Sequence, residues 1–282
     1  ILLFFITTLL AMYVYHSAKI VLLLFYVGVV VFVFLRHSVS AAAYLDVKLT
    51  SNQKKSLVLI FLSVLLSFVL TMSSALTRFS AIGLLGDDLP KALIFEYTTK
   101  STGTTPLYAI RAFYNKPVMY FTYFLENYLA HFDLNFLFTS GGATRRFSVP
   151  HHGLLYMFEL LLLPLGIFAL IKNYSKKLLP WFFLLLLSVV PAALTTEEIP
   201  SSIRSFTMLI PLTIATTLGF DFILSSIRSV SKKMVFPVFI ASVSVLTWSV
   251  GFFVQQFFVM MPIQNTLYRS RSYEVVSPLL AQ

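Results

Sequence analysis

Seven long apolar runs, near residues 1–14, 20–35, 56–74, 153–171, 178–195, 205–226 and 234–255, leave this chain few ways to fold. A helix needs about 20 residues to cross a bilayer, and a backbone in hydrocarbon must satisfy its own hydrogen bonds. The runs therefore predict an all-α fold, a polytopic transmembrane bundle of about seven spans. The first span is expected to be truncated, because the chain opens at Ile1 already inside an apolar run. Composition excludes the soluble alternative: 58% of residues are hydrophobic, 11% are charged, and the mean hydropathy is +0.85. A signal peptide is excluded for the first run, which lacks a basic leader and a small-residue cleavage site. Pro164, Pro191, Pro211 and Pro237 fall inside the runs, where a membrane bundle tolerates the kink when neighbours take up the freed carbonyl.

A net charge of +10 would suit a nucleic-acid partner, but 10 of the 21 Lys and Arg residues sit in three short loops. These are Arg36, Lys48, Lys54 and Lys55; Lys172, Lys176 and Lys177; and Arg228, Lys232 and Lys233. With the spans counted alternately, all three loops fall on one side, and basic loops mark the cytoplasmic side. The sequence thus implies a multi-pass protein of the cell (inner) membrane with no nucleic-acid partner. The opposite loops, 75–152 above all, are then extracytoplasmic. Four segments result: helices 1–3 over 1–74, a loop region over 75–152, helices 4–7 over 153–255, and an outer tail over 256–282. With no cysteine, disulfides and thiolate metal sites are excluded.

The 75–152 segment is too long for a plain connector, so it is expected to form a small subdomain or a pair of interfacial helices. Lys116–Phe138 has the pattern of an amphipathic helix, with Tyr120, Tyr123, Phe124, Tyr128 and Phe132 placed to anchor in headgroups. After it come Arg145, Arg146, His151 and His152, at the mouth of a helix expected to begin near Gly153. Guanidinium groups beside a helix N-terminus suit a phosphate; snorkelling to headgroups is the competing explanation. Glu159 would lie ~9 Å into that helix. A submerged carboxylate marks a functional site by default. It can ligate a metal with His131 or His151, orient a basic residue, or pair with Arg204 or a Tyr hydroxyl as internal glue. Glu197, Glu198 and Arg204 form a short outer hairpin, and Tyr13, Tyr15, His16 and Lys19 an outer turn. Asp87 and Asp88 read as a solvated turn. No phosphate loop, HExxH or GxSxG motif is present.

Three stretches, MYVYHSAKI, YNKPVMYFTYFLENYLAHFDLNFLFTSGGATRRFSVPHHGLLYMFELLLLPLG and PAALTTEEIPSSIRS, resemble in order and spacing the later part of bacterial membrane glycosyltransferases. The group is that of the protein O-mannosyltransferases and aminoarabinose transferases, with the GT-C fold. The resemblance implies transfer of a sugar from a polyprenyl-phosphate donor to a protein or lipid acceptor at the extracytoplasmic face. It singles out Asn115, Lys116, Tyr128, His131, Gly141, Arg145, Gly153, Tyr156, Glu159 and Arg204, with Tyr15, His16 and Ser17 at the outer turn. Lys19 stands where the group is expected to carry Arg. The group's catalytic carboxylate belongs to a first outer loop without a counterpart here, so the base is expected upstream and the 282 residues alone are expected to be inactive. Arg145, Arg204 and Lys116 are the cations available to a departing phosphate. No cofactor is called for, and the role of a divalent metal stays open.

Two other functions fit an outer cavity with Arg and a submerged Glu. One is a transporter or flippase of lipid-linked sugars, which Asp221 in the sixth span would suit; charges near the midplane of several helices, usual in transporters, are otherwise missing. The other is an O-antigen ligase or polymerase.

Overall fold

The computed structural model describes residues 2–14, 16–35, 51–72, 83–143 and 148–264. Over them the chain is all-helical, and two isolated backbone bridges take the place of strands. The helices are α1 Leu2–Val14, α2 His16–Leu35, α3 Ser51–Leu70, α4 Leu89–Ser101, α5 Leu107–Phe113, α6 Lys116–Ala130, α7 Glu159–Asn173, α8 Ser175–Ala193, α9 Leu209–Val230 and α10 Lys232–Gln255. Two π-turns, Asn135–Ser140 and Gln256–Met260, complete the ordered structure relevant to function. Each of the seven apolar runs contributes a helix over part of its described residues. Over the described residues two helices are long and apolar enough to cross a membrane, Phe206–Val230 and Lys232–Gln264, while the apolar stretches Leu3–Tyr13, Lys19–Val29, Lys55–Leu70 and Leu178–Ala193 are shorter.

One helix start and one helix end differ from expectation. The fourth helix begins at Glu159 and not near Gly153, because Leu154 and Leu155 spend their N–H groups on the carbonyls of Phe136 and Leu137, at 3.2 and 2.7 Å. The amphipathic helix expected to run from Lys116 to Phe138 stops at Ala130. Asp133 then turns the chain, its carboxylate accepting from the Asn135 N–H at 3.0 Å, and a π-turn follows. The basic residues of loop 36–50, as well as Tyr15, Arg145, Arg146 and the tail from 265, lie outside the described residues.

The chain divides into two compact units, one of residues 1–129 and 179–197, the other of 130–178 and 198–282. In the first, α1, α2 and α3 pack on one another. Their shared interior is not purely apolar: beside Met12 and Val64 it buries Thr8, Lys19, Ser67 and Thr71. Lys19 Nζ donates to the Thr71 carbonyl at 3.1 Å, just past the end of α3. The last carbonyls of a helix have no partner within it and favour a cation. Gly28 lets the Phe183 ring of α8 lie against α2, since a Cβ there would stand 2.3 Å from the ring.

Helix α6 docks by one face within the same unit. Asn127 Nδ2 donates to the Thr195 carbonyl at 3.1 Å, and the Tyr128 hydroxyl donates to the Leu186 carbonyl at 2.8 Å. Leu186 is one residue before the carbonyl that Pro191 leaves without its usual helix donor. Burial holds the Tyr128 phenol above its ordinary pKa, which keeps the donating proton in place. On α4, the exposed pairs Lys91–Asp88 and Lys100–Glu96 are surface ion pairs and contribute little to stability.

In the second unit, α7 and α9 make the closest helix crossing. A Cβ on Gly166 would sit 1.7 Å from the Ala215 carbonyl oxygen, and one on Gly219 would sit 2.1 Å from that of Leu162. Only glycine permits two helix backbones to approach so closely. Helix α10 packs along α9.

Candidate functional site

The second unit builds a platform from three segments that regular structure does not use. The first is His131 and the π-turn after it. His131 is fully buried, and its Nε2 accepts the Ser201 N–H at 3.1 Å. Its ring lies edge-on to Phe136, with centroids 5.3 Å apart. The second segment, Glu198–Ser205, is pinned to the first by the Gly142–Ser201 bridge and by the Ala143 N–H donating to the Pro200 carbonyl at 3.1 Å. Ser205 closes this loop, its hydroxyl donating to the Ser201 carbonyl at 2.7 Å. Arg204 stands in this turn, half-buried.

The third segment, His151–Tyr156, is gripped by the π-turn through the Leu154 and Leu155 bonds. Two glycines make the grip possible. Gly153 passes so near the π-turn backbone that a Cβ would stand 2.3 Å from Phe138 N, and Gly141, at φ +63°, would set a Cβ 2.8 Å from the His152 carbonyl oxygen. His151 and Glu198 hold positive φ of 52° and 55° without being glycine. Such residues are uncommon and strained, and concentrate where function requires a set geometry.

Glu159 ties this platform to the helices. Its Oε2 accepts the Tyr156 N–H at 2.8 Å, and its Oε1 accepts the Thr216 hydroxyl of α9 at 3.0 Å. At the first position of α7 it also faces the positive end of the helix dipole. Of the roles open to it, internal glue is the one these bonds describe, with Thr216 and a backbone N–H in place of Arg204 or a Tyr hydroxyl. It opens the helix, where the expected start at Gly153 would have set it six residues inside. The His131 Nε2 that could have joined it around a metal is taken by Ser201. Among the described residues no group of three or more His, Cys, Asp or Glu could hold a metal ion.

The residues expected at one site divide between the units. His131, Tyr156, Glu159 and Arg204 belong to the second, where the bonds above connect the segments that carry them. His16, Asn115, Lys116 and Tyr128 belong to the first. There Asn115 is spent on structure: its Oδ1 caps α6 by accepting the Val118 N–H at 2.9 Å, while its amide donates to Arg111 and Ala112 carbonyls. Lys116 is exposed at the start of α6, and His16 opens α2. Arg145 and Tyr15 lie outside the described residues, so the expected convergence of Arg145 with Arg204 does too.

Sequence reasoning missed Ser201 and Thr216, whose roles come from contacts far apart in the chain. It also missed Gln256, which carried a legible signal as one of two glutamines in the apolar run GFFVQQFFVMM. A groove of about 540 Å³ runs along α10 between Val243 and Gln255. Every residue lining it comes from that one helix, so it is an open helix face and not a cavity. Compared with known protein families, curated proteins and solved structures, the chain matches none.

Proposed function

We propose that this chain is part of a membrane glycosyltransferase of the GT-C type, taking a sugar from a polyprenyl-phosphate donor at the extracytoplasmic face. The observation that carries the reading is the connected platform of the second unit. His131, Gly141, Gly153, Tyr156 and Glu159, singled out by the resemblance, are joined there by bonds from Ser201 to Thr216, and Arg204 stands on the loop so held. Structure of this kind, irregular, strained at His151 and Glu198 and tied down on every side, is what a binding surface at the head of two apolar helices requires.

The setting supports a membrane. Of the two helices long and apolar enough to cross one, Lys232–Gln264 has none of its apolar window buried within the protein, and Phe206–Val230 has 33%. A core helix of a soluble protein would be covered, and a signal sequence would stand near the N-terminus. An uncovered apolar surface of this kind supports a lipid setting. The seven-span topology and the outward-facing platform belong to the same proposal.

Chemically, the donor brings its own leaving group, a lipid phosphate, so the protein must supply a base for the acceptor hydroxyl and cations for the phosphate. Arg204 is the cation of this role among the described residues of the platform, with Arg145 on the neighbouring stretch. The test is sugar transfer from a synthetic polyprenyl-phosphate sugar by the full-length protein in proteoliposomes. Arg204→Ala should lower donor use by roughly tenfold to a hundredfold, the loss of one charge-assisted contact, and Arg204→Lys should restore part of it. Unchanged kinetics in Arg204→Ala would overturn the donor-site assignment. Movement of the lipid donor across the bilayer without sugar transfer would replace the enzyme with a flippase.

A further inference from the structure

Helix α6 is docked on one side and uncovered on the other, and the two sides are the reverse of what water would select. The inner side carries the polar atoms. Asn127 and the Tyr128 hydroxyl bond to the Thr195 and Leu186 carbonyls, and the Tyr120 hydroxyl donates to the Asp87 carbonyl at 3.4 Å. Tyr120, Tyr123, Phe124 and Tyr128, the rings expected in the headgroups, turn to this side instead and are half-buried. The outer side is Val118, Phe121, Leu125 and Leu129, which are 40%, 64%, 41% and 57% exposed. Steps of three, four and four residues set them on one stripe of the helix. Because the inner bonds fix how the helix is turned, the stripe stays outward.

Two cations stand at the end of α6 where the stripe begins. Arg111, in the last turn of α5, and Lys116, the first residue of α6, are exposed, and neither belongs to an ion pair among the described residues. Lys91 and Lys100, by contrast, are matched to Asp88 and Glu96. Beside Arg111, Tyr108 and Phe113 are 79% and 67% exposed. Glu126 is the one carboxylate of α6; it follows Leu125 by one residue and so falls about a quarter-turn off the stripe. A lipid surface meets all of these features at once: acyl chains take the apolar stripe, the rings sit at the boundary, and phosphates take the guanidinium and ammonium groups. A protein partner would fit less well, because protein interfaces are depleted in lysine. With 15 residues, α6 is about 22 Å long and too short to cross a bilayer.

From this pattern we infer that the outer face of α6, with Arg111 and Lys116 at its end, is a docking surface for an anionic lipid layer. The helix lies in the plane of the membrane surface, its stripe set about 5–10 Å into the boundary of headgroups and acyl chains, and its two cations rest on lipid phosphates. Lys116 then answers a headgroup of the surrounding membrane and not a sugar donor. The inference rests on the membrane setting proposed above and is independent of the transfer reaction.

The absence of native cysteine allows single nitroxide labels on the full chain, reconstituted in phosphatidylcholine vesicles with and without phosphatidylglycerol and with no sugar donor present. Labels on Phe121→Cys and Leu125→Cys should collide more with oxygen, which concentrates in lipid, than with a water-soluble nickel chelate. A label on Thr104→Cys, in the turn between α4 and α5, should show the reverse. Phosphatidylglycerol should draw the labels at 121 and 125 deeper, and Arg111→Glu combined with Lys116→Glu should abolish that shift. A label on Trp248→Cys, on the exposed face of α10, reports the membrane setting alone. If it lies in lipid while those at 121 and 125 meet the nickel chelate, the inference is overturned and the setting stands. Labels at 121 and 125 that are immobilised and reached by neither reagent would overturn it too, since a protein, such as a second copy, would then cover the stripe. Loss of lipid contact at 248 as well as at 121 and 125 would remove the membrane setting with it. Equal depths in the two kinds of vesicle would overturn the anionic partner and the assignment of Arg111 and Lys116.

Discussion

Glu159 shows how one side chain can hold a helix start, a loop and a second helix together. Its two oxygens answer the Tyr156 N–H and the Thr216 hydroxyl, and its charge lies at the N-terminus of α7. Glutamine should replace it with little loss. The amide oxygen can still accept from Tyr156, and the amide nitrogen can donate to Thr216, whose hydroxyl already has a second acceptor in the Thr213 carbonyl at 3.2 Å. Only the interaction of charge with dipole goes, about 0.3–1 kcal/mol. Leucine instead strands the Tyr156 N–H, while Thr216 keeps the Thr213 carbonyl, and should cost about 1–3 kcal/mol in unfolding measurements. If sugar transfer survives Glu159→Gln and falls with Glu159→Leu only in step with stability, the residue positions the platform. Loss of transfer in a stably folded Glu159→Gln would make it a catalytic residue and remove the structural account. At this scale the sequence was legible where chemistry is local and silent where it is not. The carboxylate, the histidines and the glycines announced the block, but Thr216 stands 57 residues from Glu159 in the chain and Ser201 stands 70 from His131.

Helix positions were more legible than helix ends. Each apolar run holds a helix over part of its described residues, because an apolar face of that length is satisfied by a backbone that bonds to itself. The ends moved where backbone groups found partners outside a helix, as Leu154 and Leu155 did on the π-turn. No periodicity reports a bond of that kind. The crossing of α7 and α9 is likewise set by single residues. Gly166→Leu would drive a side chain into the Ala215 carbonyl; overpacking costs about 1–3 kcal/mol, and with backbone as the obstacle the upper end is expected. Gly251 provides the comparison, since nothing lies within 4 Å of its Cβ position. Gly251→Ala should be neutral or stabilise by up to about 1 kcal/mol through helix propensity. Equal tolerance of the two substitutions in unfolding assays would mean that the crossing does not depend on glycine.

At the scale of the whole molecule, composition alone pointed to a membrane, and the exposed surface of α10 gives that a structural counterpart. The division into two units was not legible, because it cuts through continuous elements: the first boundary lies between Leu129 and Ala130, in the last turn of α6. The central claim is that the segments before α7 and α9 face the extracytoplasmic space while the turn between α9 and α10 faces the cytoplasm. With no native cysteine in the chain, one measurement tests it directly: single cysteines at Thr104, in the turn between α4 and α5, at Ser148, beside the platform, and at Ser231, between α9 and α10, exposed in intact cells to an impermeant thiol reagent. The account predicts labelling at 104 and 148 and none at 231 until the membrane is opened. Labelling at 231 with protection of 104 and 148 would place the platform in the cytoplasm, beyond the reach of an outward-facing lipid-linked sugar, and would contradict it.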